Sequence, residues 1–148
     1  MSAHLESSFA EDGIASEVLR QGLALATTPD GEIWAAWSQS GGADGPVPSL
    51  WVRRFDATGR PVSDAVELAS DGAMRADLFL SDGGVWIVYD RAAADGTREV
   101  VRLSPQGAEY VLGPGQGARF LQDGTVVWRR DTGVDSPQSQ LWAVPVAG

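Results

Sequence analysis

The chain has 148 residues, 43% of them hydrophobic and 21% charged, with a net charge of −9, six tryptophans and no cysteine. That balance belongs to one folded domain and not to a disordered tail. The acidity opposes binding to a phosphate backbone, the lack of cysteine excludes disulfides and thiolate metal sites, and no apolar run reaches the roughly 18–20 residues of a membrane-spanning helix.

In chain order, residues 1–8 of "MSAHLESSFAEDG" read as a frayed terminus, with neither the basic start nor the apolar stretch of a signal peptide. The compartment is left open. From residue 9 onward the predicted elements are short strands of four to eight residues rich in Val, Ile, Trp, Phe and Leu, bounded by Asp-Gly, Gly-Gly or Pro-Gly. After a strand at 14–20 come Leu23–Thr28, Glu32–Ser38, Ser49–Phe55 and Ala65–Ala69. A second set follows at Ala76–Leu80, Val85–Tyr89, Arg98–Leu103 and Glu109–Leu112. A third has only Ala118–Leu121, Val126–Arg130 and Gln140–Val144. No segment carries a sustained 3.6-residue apolar period, so helix is expected to be nearly absent.

The sets are copies of one another. Turn glycines Gly13, Gly59, Gly107 and Gly148 stand 46, 48 and 41 residues apart, a spacing that suits one propeller blade per repeat. "SLWVRRFDATG" aligns with "TREVVRLSPQG", and "PDGEIWAAW" with "SDGGVWIVY", which sets Trp34 on Trp86 and Trp37 on Tyr89. The first pair is expected in the core between blades, the second near a rim. A β-sandwich with regularly spaced turns is the competing architecture.

On the phrases "DGEIWAAW", "SLWVRRFDATGRPV" and "SDGGVWIVY", the chain over residues 9–148 resembles bacterial β-propeller repeat proteins. "SDGGVW" is also similar, loosely, to the Asp-box turn of sialidase-type propellers, with Ser81 and Asp82 adjacent here instead of one residue apart. The resemblance implies a fold and no activity.

The expected fold is therefore all-β: a single propeller domain, residues 9–148, of three four-stranded antiparallel blades, with strand 14–20 completing the blade formed by 117–148. Three blades are too few for a ring, so the expected partner is a second copy, the homodimer closing a six-bladed propeller.

Strand alternation puts the short a–b and c–d turns on one face and the longer loops on the other. Those loops are Ser38–Pro48, Ser70–Arg75, Asp90–Gly96, Gly113–Gly117 and Asp131–Gln138. Irregular loops on a rigid scaffold are the expected binding face. The candidate ligand residues there are Trp37, Asp44, Trp51, Tyr89, Arg91, Asp95, Asp131, Asp135 and Trp142, aromatics for stacking on sugar rings and polar groups for hydroxyls. With His4 the sole histidine, no catalytic triad or histidine metal site is expected, and no cofactor. "GPGQG" lacks the lysine of a phosphate loop and reads as a turn. The leading functional expectation is a non-enzymatic module binding a glycan or a protein through the long-loop face. The alternatives are a purely architectural self-assembling unit and, third, a hydrolase using carboxylates such as Asp131 and Asp135.

Overall fold

The computed structural model describes residues 19–40, 47–131 and 139–145. The chain divides into two compact units, Met1–Met74 and Arg75–Gly148. Among the described residues every regular element is a strand.

The first unit holds one antiparallel sheet in the order β1-β2-β3-β4: β1 (Leu19–Thr27), β2 (Ile33–Ser40), β3 (Ser49–Phe55) and β4 (Val66–Ala69). Its hairpins close because Asp-Gly and Thr-Gly pairs supply both a side-chain acceptor and a left-handed backbone. At Thr28–Glu32 the Gly31 N–H donates to the Thr28 carbonyl at 2.9 Å. At Asp56–Arg60 the Asp56 carboxylate accepts from the Thr58 N–H (2.9 Å), the Thr58 hydroxyl (2.6 Å) and the Arg60 N–H (3.0 Å). Gly59 sits at φ 86°, a conformation costly for any residue with a Cβ. The expected strand 14–20 falls partly outside the described residues; Leu19 and Arg20 open β1, opposite Ser40 and Gln39.

The second unit contains two sheets. One runs β5-β6-β7-β8, from β5 (Met74–Ser81) and β6 (Gly84–Ala92) to β7 (Arg98–Leu103) and β8 (Glu109–Pro114). The other is β9 (Gln116–Phe120), β10 (Val126–Asp131) and β11 (Ser139–Val144), a three-stranded meander. Val88 and Val100 of the four-stranded sheet pack with Ala118, Val126 and Trp128 of the three-stranded one, and Phe79 lies 5.4 Å from Phe120 between ring centroids. Each of the buried valines among them contributes about 1.5–3 kcal/mol on removal from water.

One expectation about the aromatics is reversed. Trp37 and Tyr89 are each 1% exposed, whereas Trp34 and Trp86 are half-buried. Residues three apart in a strand point to opposite faces. In β2 the inward face is Ile33, Ala35 and Trp37, packed on Phe55, which turns Trp34 outward. The outward rings are covered by guanidinium groups, Arg54 at 5.6 Å from the Trp34 centroid and Arg102 at 5.2 Å from that of Trp86. A cation over an indole face holds such a ring while its edge stays wet.

Candidate functional site

The site is built where the two sheets of the second unit meet. The apolar run of β6 ends in Asp90, whose side chain is fully buried. A lone carboxylate at that depth is prohibitively costly, and two arginines answer it. Arg75 of β5 donates from Nε to Oδ2 (3.0 Å) and from Nη2 to Oδ1 (2.7 Å). Arg98, at the start of β7, donates from Nε (2.9 Å) and Nη2 (2.5 Å) to Oδ1 and from Nη2 to the Asp90 carbonyl (2.9 Å). The Gly117 N–H of β9 supplies a further donor to Oδ2 at 3.0 Å. A carboxylate has about four lone-pair sites, so Asp90, taking donors from Arg75, Arg98 and Gly117, is fully occupied and acts as an anchor. Arg75 adopts φ 56°, a strained conformation for a residue with a side chain, which the convergence on Asp90 holds in place.

β9 pairs with β10 along one edge, and the neighbouring sheet caps its other edge. Besides Asp90 on Gly117, the Asp77 carboxylate of β5 accepts from the Phe120 N–H at 2.9 Å. Two aspartates thus satisfy strand donors that would otherwise be an open edge.

The chain passes from β8 to β9 through the single residue Gly115. A Cβ there would stand 2.3 Å from the Arg129 carbonyl oxygen and 2.6 Å from Trp128 Cδ1. Trp128 closes over this passage, donating from Nε1 to the Pro114 carbonyl at 3.0 Å.

Two clefts open beside this passage and share Gln116. One, of about 430 Å³, is lined by Asp95, Thr97, Arg98, Pro114, Gly115, Gln116 and Arg130. The other, of about 340 Å³, is lined by Arg75, Gln116, Gly117 and Arg129. Gln116 accepts from Arg75 Nη2 at 3.0 Å through Oε1. The Arg130 guanidinium lies 4.6 Å from the Trp142 centroid, and Trp142 pairs across β10–β11 with Trp128. Among the described residues no three His, Cys, Asp or Glu side chains are grouped to hold a metal ion.

The predicted residues scatter around this frame. Asp95 lines the larger cleft, its carboxylate accepting from the Thr97 N–H (3.0 Å) and hydroxyl (2.6 Å), and the Thr97 bonds hold its pKa below the ordinary 3.8. Trp142 packs against the Arg130 guanidinium at 4.6 Å. Asp131 ends β10, next in the chain to Arg130. Arg91 lies elsewhere on the same sheet, bridging Glu99 (2.9 Å) and Glu109 (2.7 Å) beside Tyr89. Burial pushes the Tyr89 phenol above its ordinary value and the Glu109 charge adds to this. Trp37 and Tyr89 are corrected from rim to core, since rings 1% exposed present no face to a ligand. Trp51, in the first unit, packs against the Trp37 cluster and donates to Ser49 Oγ at 2.8 Å. Asp44 and Asp135 lie outside the described residues.

Sequence reasoning missed Arg75, Asp90, Arg98, Gln116 and Arg130. The available signal was a carboxylate ending an apolar strand with an arginine eight residues on, followed by the alternating glycines of "GPGQG".

No family model and no curated protein matches the chain. Solved structures do. A thermostable family-43 glycoside hydrolase superposes with a TM-score of 0.57 at 11% identity, over 88% of this chain and 55% of that one. The GH43_1 enzyme from Xanthomonas citri complexed with xylotriose gives 0.56 at 12% identity over 98% and 58%, and its xylose complex 0.55 at 12% over 98% and 57%. The chain spans a little over half the length of these structures. At such identity the likeness shows the fold alone, an all-β, propeller-like architecture. In each case named, that architecture is a hydrolase's, which corrects the expectation of a non-enzymatic binding or purely architectural module.

Proposed function

We propose that the chain is a carbohydrate-active propeller of the glycoside-hydrolase type, with its sugar-facing surface at the clefts along β9. The observation that carries this is the superposition on family-43 hydrolases over 88–98% of the chain, two of those structures holding xylose or xylotriose. Glycosidic bond cleavage calls for two carboxylates, one ionised as nucleophile or base and one that delivers a proton. Asp95 suits the first role, because it lines the cleft and its hydrogen bonds favour the charged form. Asp131, following Arg130 at the end of β10, is the candidate for the second.

The test is release of reducing ends from xylo-oligosaccharides and aryl glycosides. Wild-type protein cleaves at least one of them, and Asp95→Asn and Asp131→Asn each lower the rate by roughly 10²–10⁴-fold, the usual worth of a proton-transferring group. Full activity in both variants, or no cleavage of any glycoside by the wild type, overturns the reading.

The finer architecture belongs to the same proposal: two copies of three sheets each complete a six-bladed ring. Support comes from β11, whose outer edge pairs with no strand among the described residues. A monomeric mass in dilute solution refutes the ring.

A further inference from the structure

We infer that a second copy of the chain is held head to tail, an exposed apolar face of the β9–β11 sheet in one protomer packing on an exposed apolar face of β1 in the other. The inference rests on the two-copy ring proposed above and names the surfaces that close it.

The second unit shows how one sheet seats on the next. Val88 of β6 and Val100 of β7 meet Ala118, Val126 and Trp128, and Phe79 meets Phe120 at 5.4 Å. Val88, Val100 and Ala118 are each 0% exposed. The junction thus has two halves, and both recur in the chain, exposed.

The backbone sets the first correspondence. β1 and β9 each carry a Gln-Gly pair with the glycine left-handed, Gly22 at φ 63° and Gly117 at φ 69°, and each strand breaks register with its neighbour there. Counted from these glycines, Leu23 and Leu25 stand where Ala118 and Phe120 do. The cross-strand pairs agree, Leu25 lying opposite Ala35 as Phe120 lies opposite Val126. Yet Leu23 and Leu25 are 40% and 45% exposed.

The other half lies on the three-stranded sheet. Val126 and Trp128 of β10 face the four-stranded sheet, so Val127 and Arg129 point away, and with them Leu141, the partner of Arg129 on β11. Asp90 and Val100 are paired in the same way across β6–β7, so Leu141 stands where Val100 does. Leu121 follows Gly117 by the same four residues that separate Phe79 from the left-handed Arg75. Leu141 is 78% exposed and Leu121 50%.

A single exposed leucine is ordinary; four at positions that the built junction covers mark an interface. Arg119 and Arg129 replace Asp77 and Asp90, so the contact is apolar and the carboxylate caps on the strand edge are not repeated. Two unlike faces on one chain make a head-to-tail contact, which closes when the second copy returns its own face to the first.

Sedimentation of the full chain tests this. The wild type is a dimer, whereas Leu25→Glu and Leu141→Glu each sediment as monomers with thermal midpoints near wild type. Mixing the two variants restores a dimer, because each supplies the face that the other lacks. Val66→Glu, at a residue 50% exposed on β4, leaves the dimer intact. In this cysteine-free chain, the double variant Leu25→Cys with Leu121→Cys gives a covalent dimer on oxidation with diamide, since the counterpart rings Phe120 and Phe79 are in contact.

A wild-type dimer that survives both glutamate variants overturns the inference and leaves the ring standing; a wild-type monomer overturns both. Dimers lost in each variant and not restored by mixing overturn the head-to-tail order. Should either glutamate variant fail to fold, the cysteine pair decides: a covalent monomer or no cross-link overturns the inference.

Discussion

Replacing Asp90 by asparagine probes the seam most directly. The side chain keeps its shape, but its amide nitrogen must displace one carboxylate oxygen. In either orientation it then faces donors: Arg75 Nε and the Gly117 N–H on one side, or Arg75 Nη2 and the Arg98 guanidinium on the other. Removing one partner of a buried ion pair costs about 3–5 kcal/mol. The side chains of Arg75 and Arg98 are 38% and 25% exposed and can recover some hydration, which places the loss at the low end, about 3 kcal/mol. For a chain of this size that corresponds to a fall in Tm of roughly 6–12 °C. Thermal unfolding followed by tryptophan fluorescence reads the fall, with Asp82→Asn, a change at an exposed turn, as the control that stays near wild type. A shift for Asp90→Asn no larger than the control's would show that the seam does not depend on this carboxylate.

Gly115→Ala forces a Cβ to within 2.3 Å of a carbonyl oxygen at φ 137°, and is expected to lower stability by about 2–4 kcal/mol in denaturant titration. Gly96→Ala, at φ 84° with open space around it, costs only about 1 kcal/mol, so similar midpoints for the two variants would refute the steric account. Spectrophotometric titration of the two tyrosines shows a component ionising above the ordinary 10.0, and Tyr89→Phe abolishes it. Because the folded value is raised, the stabilisation from Tyr89 is complete below pH 10 and is lost as pH rises through the folded value. The turn carboxylates Asp56 and Asp123 behave oppositely: Thr58 and Thr125 hold them below 3.8, so their contribution is present above that pH and lost as pH falls through the folded values. Asp56→Ala combined with Asp123→Ala should flatten the acid limb of the stability curve below pH 3.8, and an unchanged limb contradicts the assignment.

The strands were legible in the sequence because their signals are local. Asp-Gly and Thr-Gly turns flank runs of β-branched and aromatic residues, and β3 and β7 begin and end where those signals place them. The larger cleft is lined by Asp95, at the end of the Asp90–Gly96 connection, by Thr97 and Arg98, by Pro114–Gln116 of the Gly113–Gly117 connection, and by Arg130. Which aromatic faced inward was not legible. Parity alone separates Trp34 from Trp37, and only the packed partners Ile33, Ala35 and Phe55 decide between the two faces. The charged centre was hidden for a different reason. Arg75, Asp90, Arg98 and Gln116 span 41 residues and come from four strands, so nothing in their spacing joins them until the sheets are laid side by side.

The passage at Gly115 also supplies a criterion for comparing chains. With a carbonyl oxygen and an indole standing where any side chain would begin, this position tolerates hydrogen alone. A relative that carries another amino acid there must have rerouted its backbone between the two sheets, and with it the floor of both clefts. One column of a future alignment would therefore sort lineages that retain this surface from those that have abandoned it.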